Sequence, residues 1–159
     1  MRVMGVDPGV AVTGYGVVEL ENGRLTALAY DVIKTNAGVD LPERLRLLYE
    51  RVLALLERYR PQWLALEELF FSRNARTAFS VGQARGVVLL AAAVRGLGVA
   101  SYTPLEVKQA VAGYGRASKA QVQYMVRAIL NLPSTPHPDD VADALAVAIC
   151  HAHRLGGFW

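Results

Sequence analysis

The opening stretch MRVMGVDPGVAVTGYGVV, Met1–Val18, decides how the rest of the chain is read. Val3-Met4-Gly5-Val6 is an apolar run that delivers Asp7 into a Pro8-Gly9 turn, and a second apolar stretch returns through Gly14-Tyr15-Gly16-Val17-Val18. Continuous apolar runs bounded by turn residues suit a buried central strand. A carboxylate at the end of such a strand is costly unless something cationic satisfies it. An Asp-Pro-Gly turn alone would also place an aspartate here, so the weight on Asp7 depends on what the chain sets beside it.

Working outward, three strands are expected in the first 34 residues: Val3–Asp7, Gly14–Leu20 and Leu25–Lys34, with Glu21-Asn22-Gly23 as a hairpin turn. LPERLRLLYERVLALLERY then spaces Leu41, Leu45, Leu48, Val52, Leu55, Leu56 and Tyr59 along one helical face, with Asp40 as the expected N-cap. Arg60-Pro61 ends this helix. Trp63-Leu64-Ala65-Leu66 runs into Glu67, repeating the pattern of apolar run and terminal carboxylate. Strand–helix–strand units favour parallel central strands, and ligands on open α/β sheets gather at the carboxyl ends of those strands. Asp7 and Glu67 then share one edge of the sheet, while strand alternation turns Glu68 away.

LFFSRNARTAFS is aromatic and basic together. Phe70 and Phe71 would ordinarily be core residues. Ser72, Arg73, Asn74 and Arg76 beside them suit instead a surface that stacks bases and holds phosphates. Ser80-Val81-Gly82-Gln83 matches a capping box and predicts a helix opening there. That helix carries Gly82, Gly86 and several alanines beside Val87-Val88-Leu89-Leu90. It is apolar nearly all round, so both faces should be covered, one by a second subunit. Gly96–Gly98 breaks it, and Val99–Tyr102 reads as the fifth strand.

Pro104 begins a short helix bearing Lys108. Ser118 and Gln121 form a further capping box that puts Lys119 in a first helical turn, where a cation opposes the dipole unless an anion is bound. In the last helix, Asp139 and Asp140 occupy a first turn that favours acids, but Asp143 interrupts Val141-Ala142 and Ala144-Leu145. Asp143 shares a face with Asp140 at i, i+3 and with Asp139 at i, i+4. Periodicity leaves that pair open.

The bulk properties narrow the class. The chain has 159 residues, 53% of them hydrophobic, and reads as a single domain over 1–155 with a short tail at 156–159. No stretch approaches the roughly 18–20 uninterrupted apolar residues of a membrane span, and no cleavable signal pattern precedes the first strand. The single cysteine, Cys150, excludes an internal disulfide and fits a reducing, cytoplasmic compartment. Cys150, His151 and His153 make a poor zinc set, because residues 151 and 153 do not share a helix face. The net charge is +3, and setting several acids together in one site leaves a more basic remainder that favours a polyanion. Carboxylates drawn from three distant segments cannot all stay ionised at close range without compensation. Hard oxygen ligands call for magnesium or manganese, and two such ions about 3.5–4 Å apart would activate a water and stabilise a leaving 3′ oxygen.

Four blocks, GVDPGVAVTGYGVV, LALEELFFSRNARTAFSVGQARG, EVKQAVAGYGRASKAQVQYMV and DDVADALAVAICHAH, resemble in order the motifs of the RuvC family. These are bacterial Holliday-junction resolvases among the ribonuclease H-like nucleases, and the resemblance covers nearly the whole chain. It implies an α/β fold with a ribonuclease H-like, mixed five-stranded sheet flanked by α-helices. It puts the metal-binding acids on Asp7, Glu67, Asp140 and Asp143, with the family spacing selecting Asp140 over Asp139. It puts the aromatic beside the junction crossover on Phe70 and two DNA-binding lysines on Lys108 and Lys119. The activity implied is endonuclease cleavage by a homodimer that nicks two strands of like polarity, using two Mg2+ ions per site with Mn2+ as a substitute. Cooperation with the branch-migration proteins RuvA and RuvB is implied as well. Phe71, Asp139 and the Gly156–Trp159 tail match no functional motif of the family. Two other classes compete: a phosphate loop like that of actin and the sugar kinases, which needs two such lobes, and a junction-binding module without catalysis, which would be expected to lack one of the four acids.

Overall fold

The computed structural model describes residues 1–68 and 75–157. Strands β1 (Arg2–Asp7), β2 (Val12–Glu21) and β3 (Arg24–Lys34) form an antiparallel meander. The helix α1 (Leu41–Tyr59) leads to β4 (Trp63–Glu67), α2 (Ala75–Val94) to β5 (Gly98–Tyr102), and α3 (Pro104–Ala112), α4 (Lys119–Leu130) and α5 (Asp139–Gly156) complete the chain. The sheet order is β3-β2-β1-β4-β5, with β1, β4 and β5 parallel, so it is the mixed five-stranded sheet expected. Asn22 and Gly23, both at positive φ, make the β2–β3 turn, as their residue types favour.

The pleat sorts the buried apolar strand residues into two cores. Val3, Val18, Ala65 and Tyr102 pack with Val141, Leu145 and Ile149 of α5. Met4, Val6, Val17, Leu64 and Leu66 face the other way, onto Leu48, Val52 and Leu56 of α1 and Ala84 and Val88 of α2. Each fully buried Val or Leu here contributes about 1.5–3 kcal/mol relative to exposure. By alternation, Asp7 and Glu67 continue the series on the α5 side of the sheet.

The helix α5 is buried at every position from Val141 to Ala152 except Asp143. It fits so close to the sheet because the strands beneath it carry glycine. A β-carbon on Gly5 would overlap the Ala144 carbonyl, one on Gly14 the Asp140 carbonyl, and one on Gly16 the Leu145 side chain.

Two local expectations need correction. The helix α2 begins at Ala75 within the described residues, so Ser80 is interior and the Ser80–Gln83 pattern caps nothing. Ala75–Phe79 contains no Gly or Pro to stop the helix propagating towards its N-terminus. Asp40 does stand at the N-cap of α1, but its side chain makes no capping bond. The Ser118–Gln121 box is present in both directions, and Thr103 with Glu106 forms another at the start of α3 that the sequence reading passed over. The segment Thr77–Val94 of α2 is long and apolar enough to cross a membrane by composition alone, yet it carries Arg85 and lies against α1.

Candidate active site

The site forms where β1 and β4 end side by side. Val6 pairs with Leu66 in the parallel ladder, so Asp7 and Glu67 are the next residues out on neighbouring strands. On the other flank of β1, Asp7 pairs with Gly14, and the bare Gly14 is where the backbone of Asp140 touches the sheet. This close approach brings the first turn of α5 beside Asp7 and holds Asp143, one turn on, over the same strand ends. The loop after Asp7 is fixed by the fully buried Thr13, whose hydroxyl accepts from Gly9 N–H at 3.1 Å and donates to Gly9 C=O at 2.6 Å.

The electrostatics follow from this crowding. Burial, then the charges of Asp143 and Asp140, a hydrogen bond with Asp140 and the charge of Glu67 push the Asp7 carboxyl up to about 8. Asp143 is likewise raised, by burial first; Lys119 opposes this, and a hydrogen bond from Asp7 also lowers it. Glu67 is raised by burial and by Asp143, with Lys108 opposing. Glu67 and Asp143 are open to solvent by surface area, but both stand in a cleft whose walls displace much of their water. Each lysine thus offsets one carboxylate, while the leading influences on Asp7 all favour its protonated form.

That cleft has a volume of about 290 Å3 and is lined by Glu67, Lys108, Lys119, Gln123 and Asp143, with Val107, Val122, Ala142 and Ala146 as its apolar walls. Lys119 forms an ion pair with Asp139 at 2.9 Å, and Gln123 donates to the same carboxylate at 3.1 Å. Asp139 therefore points outward to α4 while Asp140 faces Asp7, and the unfavourable place of Lys119 in a first helical turn is offset by that acid. Glu68 lies on the far side of the sheet, where it acts on Arg85.

The fit to a metal can be judged from the donors. They are carboxylate oxygens throughout, and burial with like charges close by pushes the Asp7 carboxyl well above the usual carboxylate range. A divalent cation relieves that kind of repulsion, and oxygen-only donors suit a hard ion. Among the described residues no three ligands already converge as a finished cage, so the carboxylates would have to turn towards an ion. The donor chemistry fits.

Phe70, Arg73 and Asn74, expected at the DNA surface, lie outside the described residues, and Arg76 falls in the first turn of α2. His151 is a core residue, 4% exposed, with its Nδ1 2.5 Å from the Tyr102 hydroxyl. Three features were not legible in the sequence. Arg85 stands behind Glu67, Thr13 closes the Asp7 loop, and the glycines beneath α5 admit Asp140. A lone charge in an apolar helix and a set of glycines opposite an alanine-rich helix were the available signals.

A mixed sheet in this order, with a buried helix on one face and acids gathered where two parallel strands end, defines a ribonuclease H-like nuclease fold. The family profile for crossover junction endodeoxyribonuclease RuvC matches residues 3–151. A crossover junction endodeoxyribonuclease RuvC from Pelotomaculum thermopropionicum is 60% identical over 154 residues, covering 97% of this chain and 94% of that protein. The Thermus thermophilus RuvC structure superimposes with a TM-score of 0.91 at 43% identity, covering 99% of this chain and 97% of that one. A second structure, Thermus thermophilus RuvC in complex with Holliday junction substrate, gives 0.89 at 41% identity over the same shares. The chain belongs to the RuvC family of crossover junction endodeoxyribonucleases.

Proposed function

We propose that Asp7, Glu67, Asp140 and Asp143 hold two Mg2+ ions, for which Mn2+ substitutes, and that the chain resolves four-way DNA junctions by paired symmetric nicks. The observation that carries this is the meeting of Asp7 and Glu67, at the ends of neighbouring strands, with Asp140 and Asp143 of α5 in one all-oxygen cluster, where burial and like charge push the Asp7 carboxyl upward. Ions held by these four carboxylates would supply Lewis acidity for activating a water and stabilising a leaving oxygen. The protein's own part is to orient and to balance charge. Lys108 and Lys119, on α3 and α4, line the cleft beside Glu67 and Asp143, and in this reading they are phosphate contacts close to the chemistry. Phe70 stacks against a base at the crossover, and Arg73, Asn74 and Arg76 hold the strand that passes it. The working unit is a homodimer in the bacterial cytoplasm, acting with the branch-migration proteins RuvA and RuvB in DNA recombination and repair.

The test uses an end-labelled four-way junction and a linear duplex of the same sequence, each incubated with magnesium, manganese or EDTA. Paired nicks in the junction with either metal, with the duplex intact and nothing cut in EDTA, are expected. An uncut junction that is nonetheless bound would favour a binding module, and equal cleavage of the duplex would remove the junction selectivity.

A further inference from the structure

Glu67 is the last residue of β4 and lies past its final rung with β1, which ends at Val6–Leu66. The strand is held there from behind. Arg85 of α2 donates from Nη1 to the Glu67 carbonyl at 2.6 Å and from Nη2 to the Ser101 hydroxyl of β5 at 3.0 Å. One guanidinium therefore clamps the ends of two adjacent strands from the face opposite the carboxylates. Packing gives no reason for a charge at this place. The helix α2 is seated by Ala84, Val88, Ala91 and Ala92, all fully buried, and Arg85 is the one charged residue between Val81 and Val94. A half-buried guanidinium costs solvation, which charge-assisted bonds to well-placed acceptors recover.

We propose that Arg85 is a positioning residue for Glu67: by fixing the backbone at the end of β4 it sets where the Glu67 carboxylate stands towards Asp7 and Asp143. The inference rests on the reading of Glu67 as a metal-binding acid. A carboxylate on the last residue of a strand is only as well placed as its own peptide unit, and groups that orient a ligand commonly matter about 10–100-fold for ion affinity or rate. The role suits the fork of arginine, because two acceptors on two strands are bridged by two nitrogens of one rigid plane, of which a lysine could reach one.

The experiment compares Arg85→Gln, Arg85→Lys, Glu67→Gln and the double variant Arg85→Gln/Glu67→Gln with the full-length protein. Mn2+ affinity of the metal-free protein is measured by calorimetry, junction affinity in EDTA by gel shift, and cleavage rate at saturating junction. Arg85→Gln is expected to keep its circular dichroism and its junction affinity in EDTA while losing about 10–100-fold in Mn2+ affinity or rate. Arg85→Lys should recover part of that loss. Because both changes act through one carboxylate, the double variant should be no worse than Glu67→Gln alone. Losses that multiply in the double variant would overturn the proposal, as would Arg85→Gln with only a lowered melting temperature and wild-type ion affinity and rate. If the glutamine variant does not fold, Arg85→Met, which keeps the apolar stem, takes its place; failure of both to fold would make Arg85 a stability residue and also overturn it. Wild-type Mn2+ affinity in Glu67→Gln would instead remove Glu67 from the metal site, an outcome distinct from wild-type behaviour in Arg85→Gln alone.

Discussion

Asp7 is the residue on which folding and chemistry conflict most directly. Without metal, the native protein keeps a proton on Asp7 up to about pH 8, whereas an unfolded chain releases it near 3.8. Between those values the unfolded state binds fewer protons, so stability falls as pH rises through that window. Asp143 and Glu67, both raised, act in the same direction. The melting temperature in EDTA should therefore decline from about pH 5 to about pH 8, Asp7→Asn should flatten the decline, and magnesium should raise it most at the alkaline end. A flat profile in EDTA, or one that Asp7→Asn leaves unchanged, would count against the clustered site. The same crowding predicts the variants. Amide substitution at Asp7, Glu67, Asp140 or Asp143 should lower cleavage roughly 100-fold or more while leaving junction binding intact, or tighter wherever the replaced carboxylate was ionised and its repulsion for phosphate is removed. Asp139→Asn should be mild, because that carboxylate pairs with Lys119 at the rim; an inactive Asp139→Asn beside an active Asp140→Asn would reverse the assignment within the pair.

At the scale of elements, the register between α5 and the sheet decides whether those acids meet. A methyl group on Gly14 would overlap the backbone of Asp140, which cannot rotate out of the way as a side chain would. Gly14→Ala should cost about 1–3 kcal/mol of stability and should also abolish cleavage by lifting the first turn of α5 off Asp7. Thermal melts and the junction assay read the two effects separately; wild-type values in both would show that α5 is not seated as described. This cradle also marks where the sequence stopped being legible. Val3-Met4-Gly5-Val6 and Trp63-Leu64-Ala65-Leu66 could be read as buried strands, each ending in a carboxylate, because that pattern is local. The role of Gly14 was not local: it depends on which helix crosses which strand, and a glycine between apolar residues is silent on that. The Ser80–Gln83 pattern failed for the related reason that a cap is defined by where the backbone leaves the helix, and the residues before Ser80 continue it. Arg85 went unread because its acceptors are a backbone carbonyl 18 residues away and a hydroxyl 16 residues away.

For the whole molecule, the number of sites is what matters. One chain carries one carboxylate cluster, while resolving a four-way junction into two duplexes needs a cut in each of two strands related by an approximate two-fold axis. A second copy held by an isologous contact would supply the second site in the matching orientation. The outward side of α2 would offer that contact, since Phe79, Leu90 and Val94 are 72%, 56% and 58% exposed. A β-carbon on Gly82 or Gly86 would meet nothing within 4 Å, so packing inside this chain does not require those glycines, whereas close approach by a neighbouring backbone would. Of the two mid-helix leucines, Leu89 packs against the core, and a charge there would test folding rather than assembly. Leu90→Glu is the informative change. It should leave circular dichroism and melting close to wild type, convert a dimer to a monomer in sedimentation velocity at micromolar concentration, and replace paired resolution with isolated nicks. A wild-type chain that sediments as a monomer both free and on the junction would remove the dimer, and full paired resolution by a verified Leu90→Glu monomer would remove the need for one.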